Sequence, residues 1–198
     1  MPILLPSTPG TSSITPQLVD FGSVVTPPLG GEQQRLNRLG NRWALTVQLP
    51  PMKIEPAGRE WIAALNEGVT EGVVFGFPQV DFNVGTPGAT LVNGANQTGS
   101  TINLDGFSAN YAIRKGQFFS VIIGGRRFLY QSRTAIAASA GGTVALPITP
   151  MIRKSPADNA VCEFAAPMIE GFLQGQGNAW TVDIARTVGL EFTIFERA

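Results

Sequence analysis

Histidine is absent from the 198 residues, and with it go the usual general base, the commonest transition-metal ligand and the ordinary activator of a serine or cysteine nucleophile. Cysteine occurs once, at Cys162, which excludes an intramolecular disulfide framework. Its neighbours Val161, Glu163 and Phe164 read as a strand, so a buried, inert thiol is expected. Charge is scarce too. Asp, Glu, Lys and Arg make up 14% of the chain, where a soluble domain usually carries about a quarter. Part of this surface is therefore expected to be covered by other protein. Formal net charge is zero, which removes any overall pull toward nucleic acid or an anionic membrane. No apolar run approaches the roughly 18 residues of a membrane span. The opening Met1-Pro2-Ile3-Leu4-Leu5-Pro6 lacks the basic start and continuous apolar stretch of a secretory signal, so none is expected.

What the chain has in quantity is turn residues: 23 glycines and 15 prolines among 43% apolar residues. Glycine and proline at short intervals favour many short strands over long helices. The fold class expected is all-β, an antiparallel sandwich or barrel with one short helix and an extended N-terminal arm. A chain of this length supports one sizeable core, so residues 16–198 are expected to form a single β-rich domain behind an arm of residues 1–15.

Trp43, Leu45, Val47 and Leu49 alternate with Arg42, Ala44, Thr46 and Gln48, the period of a strand with one buried face. Pro50-Pro51 stops it. From Glu55 to Gly68 a proline in the first turn, early acids, Trp61 four residues before Leu65 and a terminal glycine predict the one helix, lying against a sheet through Trp61, Ile62 and Leu65. Val73–Phe77 reads as a strand and 78–99 as a long irregular loop. Phe118–Ile123 and Arg126–Tyr130 flank Gly124-Gly125, which predicts a central hairpin on a two-residue turn with positive φ at both glycines. Further strands are expected at Thr143–Ile148, with Pro147 at an edge or bulge, and at Val161–Ala165, Trp180–Arg186 and Leu190–Glu196.

Pro2, Pro6, Pro9 and Pro16 lie in or beside the arm and should keep it extended and out of a central sheet. Its apolar tip, Ile3, Leu4 and Leu5, is expected to dock on a neighbouring subunit. A second candidate interface is basic. Arg114, Lys115, Arg126, Arg127, Arg133, Arg153 and Lys154 follow one another with no intervening acid, and the first five are taken as a possible subunit-facing surface.

Catalytic chemistry finds little to use. Glycoside hydrolysis needs only two carboxylates, and Asp105, Asp158, Glu163, Glu170, Asp183 and Glu191 are available. They are scattered over turns and strand faces, where solvent exposure explains them. No glycine cluster precedes a Lys-Ser/Thr pair, so a phosphate loop is not indicated. The expectation is a non-enzyme without metal or cofactor. A competing reading, a sugar-binding β-sandwich for host attachment, rests on Trp43, Trp61 and Trp180 and on Asn- and Gln-rich loops.

Three segments carry a resemblance. Gln34-Arg35-Leu36-Asn37-Arg38-Leu39-Gly40-Asn41-Arg42-Trp43, followed by Val47-Gln48-Leu49-Pro50-Pro51-Met52 and the Trp61 helix, is similar to the opening β-sandwich segment of the distal tail proteins of tailed phages. Gly116-Gln117-Phe118-Phe119-Ser120 with Phe128-Leu129-Tyr130, and the run from Ala140 to Arg153 through Gly142, Leu146, Ile148 and Pro150, resemble a β module of phage structural proteins. Gln117 stands where an Asp is commoner. The likeness covers roughly two-thirds of the chain, through turn-and-strand signals. It implies a virion protein of the tail-tip or baseplate kind, assembled in the host cytoplasm. Such a subunit forms a ring of its own copies, usually sixfold, between the tail tube and the host-facing tip, and its other partners are tail proteins; nucleic acid is not an expected partner. Unlike longer distal tail proteins, the sequence shows no obvious second, carbohydrate-binding domain, so direct receptor binding is not expected. A capsid decoration protein or another minor virion protein would share most of these features.

Overall fold

The alternating apolar positions of Arg42–Gln48 and Glu191–Glu196 become neighbouring strands of a six-stranded sheet in the computed structural model, which describes residues 1–175, 180–182 and 186–197. From edge to edge its strands are Ile3–Leu4, Val73–Gly76, Met168–Leu173, Glu191–Glu196, Arg42–Gln48 and Ser13–Val19. The first pair is parallel and the rest antiparallel. Leu45, Val47, Val73, Ile169 and Ile194 point to one side, where they are fully buried. The helix, Arg59–Glu71, covers that side. Trp61 carries it there, with its ring centroid 5.9 Å from Phe192 and 6.3 Å from Phe75.

A second six-stranded sheet runs Cys162–Glu163, Phe118–Ile123, Arg126–Ser132, Val144–Ile152, Gly99–Phe107, Gly88–Val92. Its ends meet: Leu91 bridges to Val161, and the Val92 N–H donates to the Ala160 carbonyl at 2.9 Å. It is a nearly closed barrel, filled by Phe119, Phe164, Tyr130, Ile102, Leu104 and Leu146. The all-β class with one helix is what the chain adopts, with two hydrophobic clusters, one beneath each sheet.

Several local expectations change. The helix does not stop at Gly68 but one turn later, where Gly72 at φ +83 donates its N–H to the Gly68 carbonyl. Gly68 serves packing instead, since a Cβ there would lie 2.3 Å from a methyl of Val73. Pro147 does meet its expectation of an edge or bulge, at a bulge inside the sheet. Val144–Ile152 pairs on both sides, and the register shifts between Pro147 and Ile152, so the missing donor is absorbed at a bulge. The stretch 78–99 is not all loop, because Gly88–Val92 forms the edge of the barrel sheet. In the expected strand Trp180–Arg186, Thr181–Val182 pairs with Thr187–Gly189, and residues 183–185 lie outside the described residues.

The N-terminal segment is extended, as its prolines require, but it docks on its own chain. Ile3–Leu4 pairs with Val73–Val74, Leu5 is buried in the core under the first sheet, and the Trp61 indole donates to the Thr8 carbonyl at 2.9 Å. The boundary drawn after residue 15 falls inside the strand Ser13–Val19. Proline excludes a chain from central positions, where both backbone edges are paired, and leaves sheet edges open to it. This segment supplies both edges of the first sheet, and residues 6–11 cross between them.

Two carboxylates join the sheets. The strand Arg126–Ser132 pairs with Val144–Ile152 only at Gln131 and Ser132. Earlier along it, the Arg127 N–H donates to Glu170 at 3.0 Å and the Leu129 N–H to Glu196 at 2.7 Å, both acids standing on the first sheet. Glu196 also accepts the Trp43 N–H at 2.9 Å and pairs with the buried Arg153. Burial pushes the Glu196 carboxyl up, while Arg153 and the two backbone donors pull the other way.

Candidate functional site

Ile3, Leu4 and Leu5 are the apolar tip named from the sequence, and only Leu4 is left exposed, at 65%. The five basic residues separate into two groups. Arg114, Lys115 and Arg133 lie at one end of the barrel strands, where the Gly116 N–H donates to the Ser132 carbonyl. Arg126 and Arg127 lie at the other, beside the Gly124-Gly125 turn. Seven residues at about 3.3 Å each put the two ends roughly 20 Å apart. Arg127 is moreover engaged internally, its Nε donating to Glu163 Oε2 at 3.1 Å. The five therefore do not make one basic face, because the hairpin that brings Arg114 near Arg133 carries Arg126 away.

Three of the candidate acids act as structural acceptors. Glu163 takes the Ser120 hydroxyl at 2.5 Å as well as Arg127, Glu170 takes the Arg127 N–H, and Asp158 caps a loop by accepting the Gly94 N–H at 2.8 Å. Asp183 lies outside the described residues. Gln117 is buried between turns: its Oε1 accepts the Arg114 N–H and its Nε2 donates to the Tyr111 hydroxyl, both at 3.1 Å. Cys162 is buried, and desolvation pushes its thiol up to about 12. Trp43 and Trp61 are core residues and offer no face for sugar stacking; Trp180 is 42% exposed. No three of His, Cys, Asp or Glu gather to hold a metal ion, and no helix is long and apolar enough to cross a membrane, among the described residues.

The conspicuous surface is a feature the sequence reading passed over. Ser13–Val19 and Arg42–Gln48 form a ladder whose far end, Val19 opposite Arg42, runs on into a second ladder, Ser23–Val25 against Gln34–Leu36. The joint is held by the Phe21 N–H donating to Asn41 Oδ1 at 2.7 Å and by the Arg42 guanidinium, 4.8 Å from the Phe21 ring and 5.2 Å from that of Phe195. Every residue of the outer ladder is exposed. Leu18, Phe21, Val24, Val25, Leu29, Leu36 and Leu39 are seven of the fourteen large apolar side chains left open to solvent among the described residues. An antiparallel ribbon with neither face covered is marginal alone in water, and apolar surface concentrated this way is of the kind that binds a protein, a membrane or another ligand. The only advance signal was Pro27-Pro28-Leu29-Gly30-Gly31 between Ser-Val-Val and Gln-Arg-Leu, strands too short for an alternation to register.

At the base of this hairpin lies a groove of about 310 Å³, bounded by Ile14 and Pro16 of the edge strand, by Phe77, Val80 and Phe82, and by Arg114 and Lys115 at its rim. Arg114 sits over the Phe82 ring at 5.2 Å. No family model matches the sequence. No curated protein matches it either.

Proposed function

We propose that the chain is a structural subunit of a tailed-phage particle, of the distal tail or baseplate kind, which forms a ring of its own copies between the tail tube and the host-facing tip and acts by assembly, with no catalytic step. The observation that carries this reading is the outer hairpin. A ribbon that holds six of the fourteen exposed large apolar side chains, and whose strands are covered on neither face by the described residues, leaves water by taking a protein partner. Low charge over the whole chain supports the same reading, and so does the resemblance of the segments from Gln34 to the Trp61 helix and from Gly116 to Arg153. The sixfold ring and the position in the particle come from that resemblance, as does the assignment to the virion.

Sedimentation velocity and native mass spectrometry of the purified chain test the proposal. A discrete ring at micromolar concentration is the expected result, and a monomer at every concentration would overturn it.

A further inference from the structure

We propose that the turn at the tip of the outer hairpin of one copy seats in the groove at the base of the hairpin of the next, so that the chains join head to tail. This rests on the reading of the chain as a self-assembling subunit and names its contact. At the tip, the Gly30 N–H donates to the Pro27 carbonyl at 3.3 Å, closing a β-turn with Pro28 and Leu29 at its centre and Gly30 at φ +80. Leu29 is thereby presented at 99% exposure. Two prolines hold it there, so little conformational entropy remains to be lost on docking.

The groove offers the matching chemistry. Phe77, Val80, Phe82 and Phe118 make apolar walls, and its volume of about 310 Å³ is at the small end for a ligand cleft, which suits one or two side chains. Arg114 and Lys115 on its rim make no ion pair among the described residues; neither does Glu32, two residues beyond Gly30 at the tip. A carboxylate three residues after Leu29, free of ion pairs, thus meets two cations likewise free of ion pairs beside the apolar groove. Asp81, on the intervening turn, is not one of the lining residues. The tip cannot serve its own groove. Ile14 and Pro16, on the edge strand from which the same hairpin emerges, form one wall of the groove, and the outer strands run on beyond that strand with every residue exposed. Each chain therefore gives one tip and receives another, a heterologous contact that closes into a ring when the rotation between copies allows. One tip in one groove is a small contact, and closure stabilises it because every chain is then held twice.

Charge reversal tests the contact. Glu32→Arg alone, and Arg114→Glu with Lys115→Glu, should each raise the concentration for assembly at least tenfold with circular dichroism unchanged, and the three substitutions combined should restore it. Direction is tested by thiol trapping: under copper–phenanthroline oxidation, Leu29→Cys chains mixed with Val80→Cys chains should cross-link in pairs, either alone should not, and the double variant should give a ladder. Parent-like assembly by both charge variants, or an intrachain disulfide only in the double variant, would overturn the contact and leave the subunit reading standing. A parent chain that never assembles would overturn both.

Discussion

At Gly124 and Gly125 the backbone turns with φ of +60 and +77, a region closed to β-branched side chains. Gly124→Val and Gly125→Val are each expected to lower stability by about 1–3 kcal/mol in urea titration, while Gly141→Ala, at a glycine without positive φ, should be near neutral. Cys162 gives a pH test. Its thiol ionises near 9.0 in the unfolded chain and near 12 in the folded one. Above pH 9 the unfolded state therefore holds fewer protons than the folded state, and stability must fall as pH rises toward 12. Tyr130, raised from 10.0 to about 12 chiefly by burial, acts in the same direction at its upper end. The urea midpoint should be lower at pH 10.5 than at pH 8, and Cys162→Ala should flatten that slope. At pH 8 the native thiol should also resist iodoacetamide until the chain unfolds.

Among the elements, the N-terminal segment departs furthest from expectation. Its prolines keep it extended, and an extended chain whose apolar residues fall on alternate sides can complete a sheet edge. Leu5 faces the core at 5% exposure and Leu4 faces outward at 65%. Leu5→Ala is expected to cost about 2–5 kcal/mol, and Leu4→Ala to stay within about 0.5 kcal/mol, as measured by urea midpoints. Deleting residues 1–12 removes one edge strand and the Leu5 plug and should abolish cooperative unfolding; a truncated chain with parent stability would return the segment to the role of a detachable arm. The hairpin at Gly124-Gly125 was legible because its turn and both strands lie within fifteen consecutive residues. The helix was legible from Trp61 and Leu65, but its end was not, since Gly68 answers to the methyl of Val73, which meets it only once the chain has turned at Gly72.

For the whole molecule, the outer hairpin is a separable part. Val19 and Arg42 face each other in the ladder, so replacing residues 20–41 with Asn-Gly closes it by a two-residue turn. The shortened chain is expected to keep the parent's near-ultraviolet circular dichroism and to sediment as a monomer. Unchanged assembly would move the contact to another surface. Excision touches neither Glu170 nor Glu196, whose carboxylates join the two sheets far along the chain from the hairpin.

Strand periodicity, turn residues and the want of histidine are local properties, and by themselves they determined an all-β chain with one helix and a central two-glycine hairpin. Where a segment finds its partner is not local. Ile3-Leu4-Leu5 carries the same apolar signal whether it meets Val73–Val74 of its own chain or a neighbour, and energetically the choice depends on a vacant sheet edge that exists only after folding. The same holds for the basic residues, which sequence order places together and hairpin geometry divides, and for the acids, whose partners Arg127, Leu129 and Trp43 lie on the other strands of a finished sheet pair. Tertiary structure decided which apolar residues remained in water, because exposure is what is left after every strand has taken its neighbours, and that residue of unpaired surface is the hairpin from Leu18 to Leu39.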